Sequence, residues 1–151
     1  MFRGVQHINM DAKGRIAIPL RQREPILSAC GGSLVLTIDT HSPCLIIYPV
    51  DEWERIEREV QQLPSLKPEI RRFQRLILGY ATELDLDSSG RLLLPPSLRE
   101  YGRFEKKLVL VGQGNKLEVW AEKLWFVERD EALMERQAGA VLPEELISLS
   151  L

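Results

Sequence analysis

The chain has 151 residues, 44% of them hydrophobic and 28% charged, with a net charge of −2 and a pI near 5.8. These values fit an ordinary globular protein and exclude a disordered chain, a disulfide-rich miniprotein and a surface uniformly coated in basic charge. No segment approaches the roughly 20 apolar residues of a membrane span, and the opening MFRGVQHINMDAKGR has no apolar run of the kind found in a secretory leader, so a cytoplasmic protein is expected.

The charge is unevenly placed. Residues 1–25 hold five bases (Arg3, Lys13, Arg15, Arg21 and Arg23) against Asp11 and Glu24. Residues 130–151 hold five acids against Arg136 alone. A basic head and an acidic tail can face different partners.

In chain order, the first motif is DAKGRIAIP at residues 11–19. Asp-x-x-Gly-Arg reads as a tight turn, in which Asp bonds the following backbone and Gly accepts a positive φ. An apolar strand follows and Pro19 ends it. Pro25 then interrupts the next run, which predicts a broken or one-turn helix there. Two strands follow, residues 33–38 and 44–48, joined around Thr40–Pro43. Asp51 with Glu54 three residues on reads as a helix N-cap, and Trp53, Ile56, Val60 and Leu63 mark one face. Pro68 opens a second helix with Ile70, Phe73 and Ile77 inside and Arg71, Arg72 and Arg75 outside.

The pattern then repeats. DSSGRLLLP at residues 87–95 matches the first motif at an offset of 76, and LEVWAEKLW at 117–125 matches LIIYPVDEW at 45–53 at an offset of 72. Two blocks in the same order point to a duplication. A short helix is expected over 95–101, strands over 107–111 and 116–120 with a hairpin turn between them, and a helix from Glu122 to about Arg136. Each repeat is only ~45 residues, too short to bury a sufficient core unaided, so the two copies are expected to pack together. The organisation read here is repeat 1 at 5–52, a helical linker at 53–80, repeat 2 at 81–124 and a helical tail at 125–151.

Catalytic and metal signatures are weak. There is no nucleophile elbow or HExxH motif. Asp85 and Asp87 with Glu83 form a carboxylate group of a kind that can do acid–base work or hold a cation, but alternating acids on a strand more often make a solvated face. Cys30 and Cys44 read as buried free thiols, and neither they nor His7 and His41 show metal-ligand spacing. No cofactor, metal site or small-molecule substrate is expected. In the paired turns, Asp11 with Arg15 and Asp87 with Arg91 are candidate structural ion pairs, closed either within each turn or across the two copies. The first turn also carries Lys13, with Arg3, Arg21 and Arg23 near in sequence; the second has Ser88, Ser89 and upstream acids. Arg3, Lys13 and Arg15 are therefore the candidate contacts if one face meets phosphates, since arginine binds phosphate or the guanine edge bidentately; that the partner is DNA is implied only by the resemblance of these motifs to a known family. Arg91 is expected to matter more for stability, through a partly buried ion pair.

These motifs, with MFRG, CLIIYPVDEWERIE, RRFQRLILG and LVLVGQGNKLEVW, resemble the MraZ family, which carries tandem SpoVT/AbrB-type domains. The resemblance covers essentially the whole chain. It implies a mainly β fold with flanking helices, a pseudo-twofold swapped-hairpin β-barrel made by the two repeats. It also implies a ring-shaped homo-oligomer and a sequence-specific regulator that binds double-stranded DNA at repeated boxes, a repressor of its own division and cell-wall gene cluster promoter, associated with the nucleoid. The competing expectation is an oligomeric scaffold that binds a protein partner through its acidic tail.

Overall fold

Every residue from 1 to 151 is described by the computed structural model. The first repeat supplies β1 (Val5–Asn9), β2 (Arg15–Ala17), α1 (Leu20–Cys30), β3 (Ser33–Ile38) and β4 (Leu45–Pro49). Two helices follow, α2 (Val50–Gln61) and α3 (Pro68–Gly79). The second repeat gives β5 (Thr82–Asp85), β6 (Arg91–Leu93), α4 (Pro96–Gly102), β7 (Lys107–Gly112) and β8 (Leu117–Ala121). The chain ends in α5 (Glu122–Gln137) and α6 (Glu144–Ile147).

The strands exchange between repeats. A six-stranded antiparallel sheet has the order β1-β7-β8-β4-β3-β5, and β2 pairs with β6 as a separate ribbon. Thus β1 lies on the second repeat's β7, with Val5 opposite Val111, and β5 lies on the first repeat's β3, with Leu36 opposite Thr82. The central hairpins meet through β4 and β8. Each repeat therefore completes the other's sheet, and neither can form its pairing alone. The hydrogen-bonded ladder does not close into a ring: β1 and β5 are its two edges.

The ribbon and the two repeat helices cover one face of this sheet. Ile16 and Ile18 from the first repeat, and Leu92 and Leu94 from the second, pack with Leu34, Leu36, Ile47, Leu108 and Leu110, all at most 1% exposed. Burying each such side chain contributes about 1.5–3 kcal/mol relative to leaving it in water. The other sheet face carries two smaller clusters related by the duplication. Tyr48 packs on Trp53 with ring centroids 5.8 Å apart, under α2 and α3; Trp120 packs on Trp125 at 5.8 Å, under α5. The aromatic positions shared by the two sequence blocks thus hold the first helix after each repeat in the same way.

Two local expectations are corrected. Pro25 does not break α1, which runs continuously for 11 residues. Proline there removes one bond, to the Arg21 carbonyl in the first turn, while Ile26 and Gln22 anchor the helix by burial, and the Gln22 amide donates to the Arg3 carbonyl at 2.8 Å. Gly31, at φ 64°, closes the helix by donating its N–H to Leu27. Asp51 does not cap α2. The helix starts two residues earlier than that cap would set, at Val50 with Pro49 in the N-cap position, and has no side-chain cap. Asp51 and Glu52 instead lie in the first turn, where they complement the positive end of the helix dipole.

Candidate nucleic-acid interface

The two Asp-x-x-Gly-Arg turns fold identically, bond for bond. In the first, the Asp11 N–H donates to the Arg15 carbonyl at 2.9 Å and Gly14 N–H donates to the Asp11 carbonyl at 3.0 Å. The Asp11 Oδ1 accepts from the backbone N–H groups of Lys13 and Arg15, both at 2.9 Å, and its Oδ2 accepts from Arg15 Nε at 2.7 Å. In the second, Asp87 accepts from Ser89 N–H at 2.8 Å, from Arg91 N–H at 2.9 Å and from Arg91 Nε at 3.1 Å. Each aspartate thus builds its turn and orients the arginine four residues on. The ion pairs close within each turn rather than across the copies.

The turns are then locked to each other. Ile18 N–H donates to the Gly90 carbonyl and Leu94 N–H to the Gly14 carbonyl, both at 2.9 Å. The guanidinium of Arg23, on α1, lies against Gly90; that of Arg99, on α4, lies against Gly14. Arg23 also donates to the Ile18 carbonyl through Nε at 3.2 Å and Nη2 at 2.9 Å. Arg23 and Arg99 are separated by the same offset of 76 as the turns, a signal in the sequence that singled out neither as a partner of the opposite turn.

The ribbon decides which side chains face outward. Ile16 and Leu92 point into the core, so their strand neighbours Arg15, Ala17, Arg91 and Leu93 share the opposite face. Both motif arginines therefore stand on one surface, with Lys13 exposed beside them. The deep burial that would make Arg91 chiefly a stability residue is absent: its side chain is 38% exposed and that of Asp87 41%, against 32% and 39% for Arg15 and Asp11. The expected division between the two arginines is thus not built into the structure. Because Nε takes the carboxylate, the two terminal nitrogens of each guanidinium have no intramolecular partner and can serve a bidentate contact.

Arg3 stands elsewhere. It precedes β1, beside Gly112 and the hairpin turn of the second repeat, whereas the first Asp-x-x-Gly-Arg turn follows β1. The strand between them is about 17 Å long at ~3.4 Å per residue, too far for Arg3 to join Lys13 and Arg15 on one phosphate group. The acidic group does not converge either. Asp85 accepts a hydrogen bond from Ser33 Oγ at 2.6 Å and Asp87 is held in its own turn, with Glu83, Asp85 and Asp87 all exposed.

Hydrogen bonds from the Arg15 backbone, then from its side chain, lower the Asp11 carboxyl from its ordinary 3.8 to about 2; the Arg91 backbone acts first on Asp87 in the same direction. A carboxylate with a lowered folded-state pKa contributes stability above its unfolded value, and that stability is lost as pH falls through the folded value. The melting-temperature difference between the wild type and an Asp11→Asn/Asp87→Asn double variant should therefore be constant above about pH 4 and shrink toward pH 2. A difference that grows on acidification would contradict this assignment.

A family profile described as "MraZ protein, putative antitoxin-like" matches residues 1–76 and again 77–140. Among similar proteins, the chain is 53% identical over 152 residues to the Transcriptional regulator MraZ of Halorhodospira halophila, covering 100% of both chains. It is 53% identical to the protein of the same name from Hydrogenovibrio crunogenus, covering 99% of this chain and 98% of that one. It is 49% identical to that of Pseudomonas putida over the full length of both.

Proposed function

This chain belongs to the MraZ family, and from that premise we propose that it is a sequence-specific, double-stranded-DNA-binding transcriptional regulator. The observation that carries this reading is the pair of identical turns presenting Arg15 and Arg91 on one exposed face, with Lys13 beside the first. Aspartate-oriented guanidinium groups at fixed spacing suit recognition of phosphate and base edges. The proposed contacts are Lys13, Arg15 and Arg91; Arg3 would make a separate contact. The names of the relatives support regulation of transcription, and the finer reading is repression of the chain's own division and cell-wall gene cluster promoter by a cytoplasmic, nucleoid-associated protein.

The test is a gel shift on DNA from the chain's own upstream region. That fragment should be bound more tightly than a base-shuffled fragment of the same length, and deleting single repeated boxes should weaken binding stepwise. Equal affinity for both fragments would overturn the reading. Binding should also be salt-dependent, with log K falling against log salt by roughly 0.9 per phosphate neutralised. A flat dependence would contradict a basic contact face.

A ring of such subunits forms part of the proposal. It would repeat one basic face around a rim, so that modest contacts act together despite the pI, with avidity gains of roughly 10²–10⁴ when box spacing fits. Trp53 is buried, Trp125 packs on Trp120, and Phe126 lies 4.9 Å beneath the Arg129 guanidinium, so these aromatics are partnered within the subunit. Unpartnered apolar surface lies further along α5, at Val127, Leu133 and Met134, which are 53–67% exposed. Light scattering should report a species several times 17.3 kDa, and a stable monomer at micromolar concentration would refute the ring.

A further inference from the structure

We propose that Asp39, Cys44 and Glu118 form a binding site for a divalent transition metal of the zinc type. Asp39 follows β3 and Cys44 precedes β4 in the first repeat, while Glu118 lies on β8 of the second, opposite Ile46. The thiol and one oxygen of each carboxylate lie within 4.8 Å of one another. Ligands around a tetrahedral zinc stand about 3.3–3.8 Å apart, given metal–oxygen and metal–sulfur bonds of roughly 2.0–2.3 Å. Small rotamer changes therefore close the site.

The second cysteine shows what is unusual here. Cys30 Sγ donates to the carbonyls of Ile26 at 3.1 Å and Ser33 at 2.9 Å. Cys44 is completely buried, and its sulfur has no hydrogen-bond partner, yet it sits against two carboxylates. A divalent cation would attract the thiolate and both carboxylates at once, the thiol proton leaving to solvent on binding. The carboxylates are already oriented. Trp120 Nε1 donates to Glu118 Oε1 at 3.1 Å, and the His41 N–H donates to Asp39 Oδ1 at 2.7 Å. One sulfur ligand argues against calcium or magnesium, which take oxygen, and favours zinc. No sequence spacing reveals the site, because Glu118 arrives from the other repeat. A bound ion would pin the turn of the first hairpin to the strand of the second.

The test uses the full chain, stripped with a chelator and titrated with cobalt(II) as a spectroscopic stand-in for zinc. The expected result is stoichiometric binding with a thiolate-to-cobalt charge-transfer band that zinc displaces. Cys44→Ala should abolish the band and Cys30→Ala should leave it. Glu118→Gln, at a less buried position, should raise the cobalt Kd by more than about tenfold, a loss of the size seen even for outer-shell partners of a metal. It decides the matter where Cys44→Ala does not fold. Absence of the band at stoichiometric cobalt, its survival in Cys44→Ala, or an unchanged Kd in Glu118→Gln would overturn the proposal.

Discussion

Replacing Arg15 by alanine should remove most specific DNA binding while the melting temperature and oligomer size stay close to wild type. Losing a bidentate base contact removes about 1–3 kcal/mol of discrimination, roughly a five- to 150-fold loss at each engaged subunit. The fold has little stake in this guanidinium. Its ion pair with Asp11 is about one-third exposed on each side, the setting in which such pairs contribute little. The turn itself is held by backbone N–H groups bonded to Asp11, which the substitution keeps. Arg91→Ala should behave similarly but more mildly, because its turn carries Ser88 and Ser89 in place of a lysine. Anisotropy titrations with upstream DNA, alongside thermal melts, would measure both. Early melting of either variant, or full DNA affinity in Arg15→Ala, would contradict the assignment.

Gly90→Ala should be the more damaging change to the fold. Gly90 sits at φ +72°, and a Cβ there would stand 2.0 Å from Arg23 Nε. The left-handed backbone costs a non-glycine residue about 1–2 kcal/mol. Arg23 would also have to swing away from the Ile18 carbonyl, losing hydrogen bonds from a charged donor worth roughly 1.5–3 kcal/mol. Together these predict a destabilisation of about 2.5–5 kcal/mol, and a loosened second turn that binds DNA less well. Gly14→Ala, at φ +88°, meets the Arg99 guanidinium at 2.7 Å. Arg99 Nε is buried without a partner, so less hydrogen bonding is lost and a smaller effect is expected. Denaturant unfolding of the two variants gives the comparison. A Gly90→Ala protein as stable as wild type would show that the contact is incidental.

Much of this arrangement is legible in the sequence because the duplication exposes it. The offset of 76 marks the two turns, and the apolar residues after each arginine mark the ribbon that buries Ile16 and Leu92. What stays hidden depends on contacts between repeats. Strand β1, Val-Gln-His-Ile-Asn, alternates only weakly in polarity, and nothing local says that it pairs with β7 of the other copy. Arg99 resembles any surface arginine until α4 carries it onto Gly14. Arg3 looks like a member of the basic head, but β1 separates it from the turn. Pro25 reads as a helix breaker because the anchoring burial of Gln22 and Ile26 belongs to tertiary packing. Asp39, Cys44 and Glu118 meet only when the two hairpins do.

The most direct test of the shared DNA face is site-specific photocrosslinking to upstream DNA. Ala17 is exposed on the ribbon face that carries both arginines, and Val141 lies in the acidic tail at 96% exposure. A photoreactive side chain at Ala17 should crosslink to DNA, and one at Val141 should not. Crosslinks from Val141 with none from Ala17 would place DNA on a different surface and contradict the account.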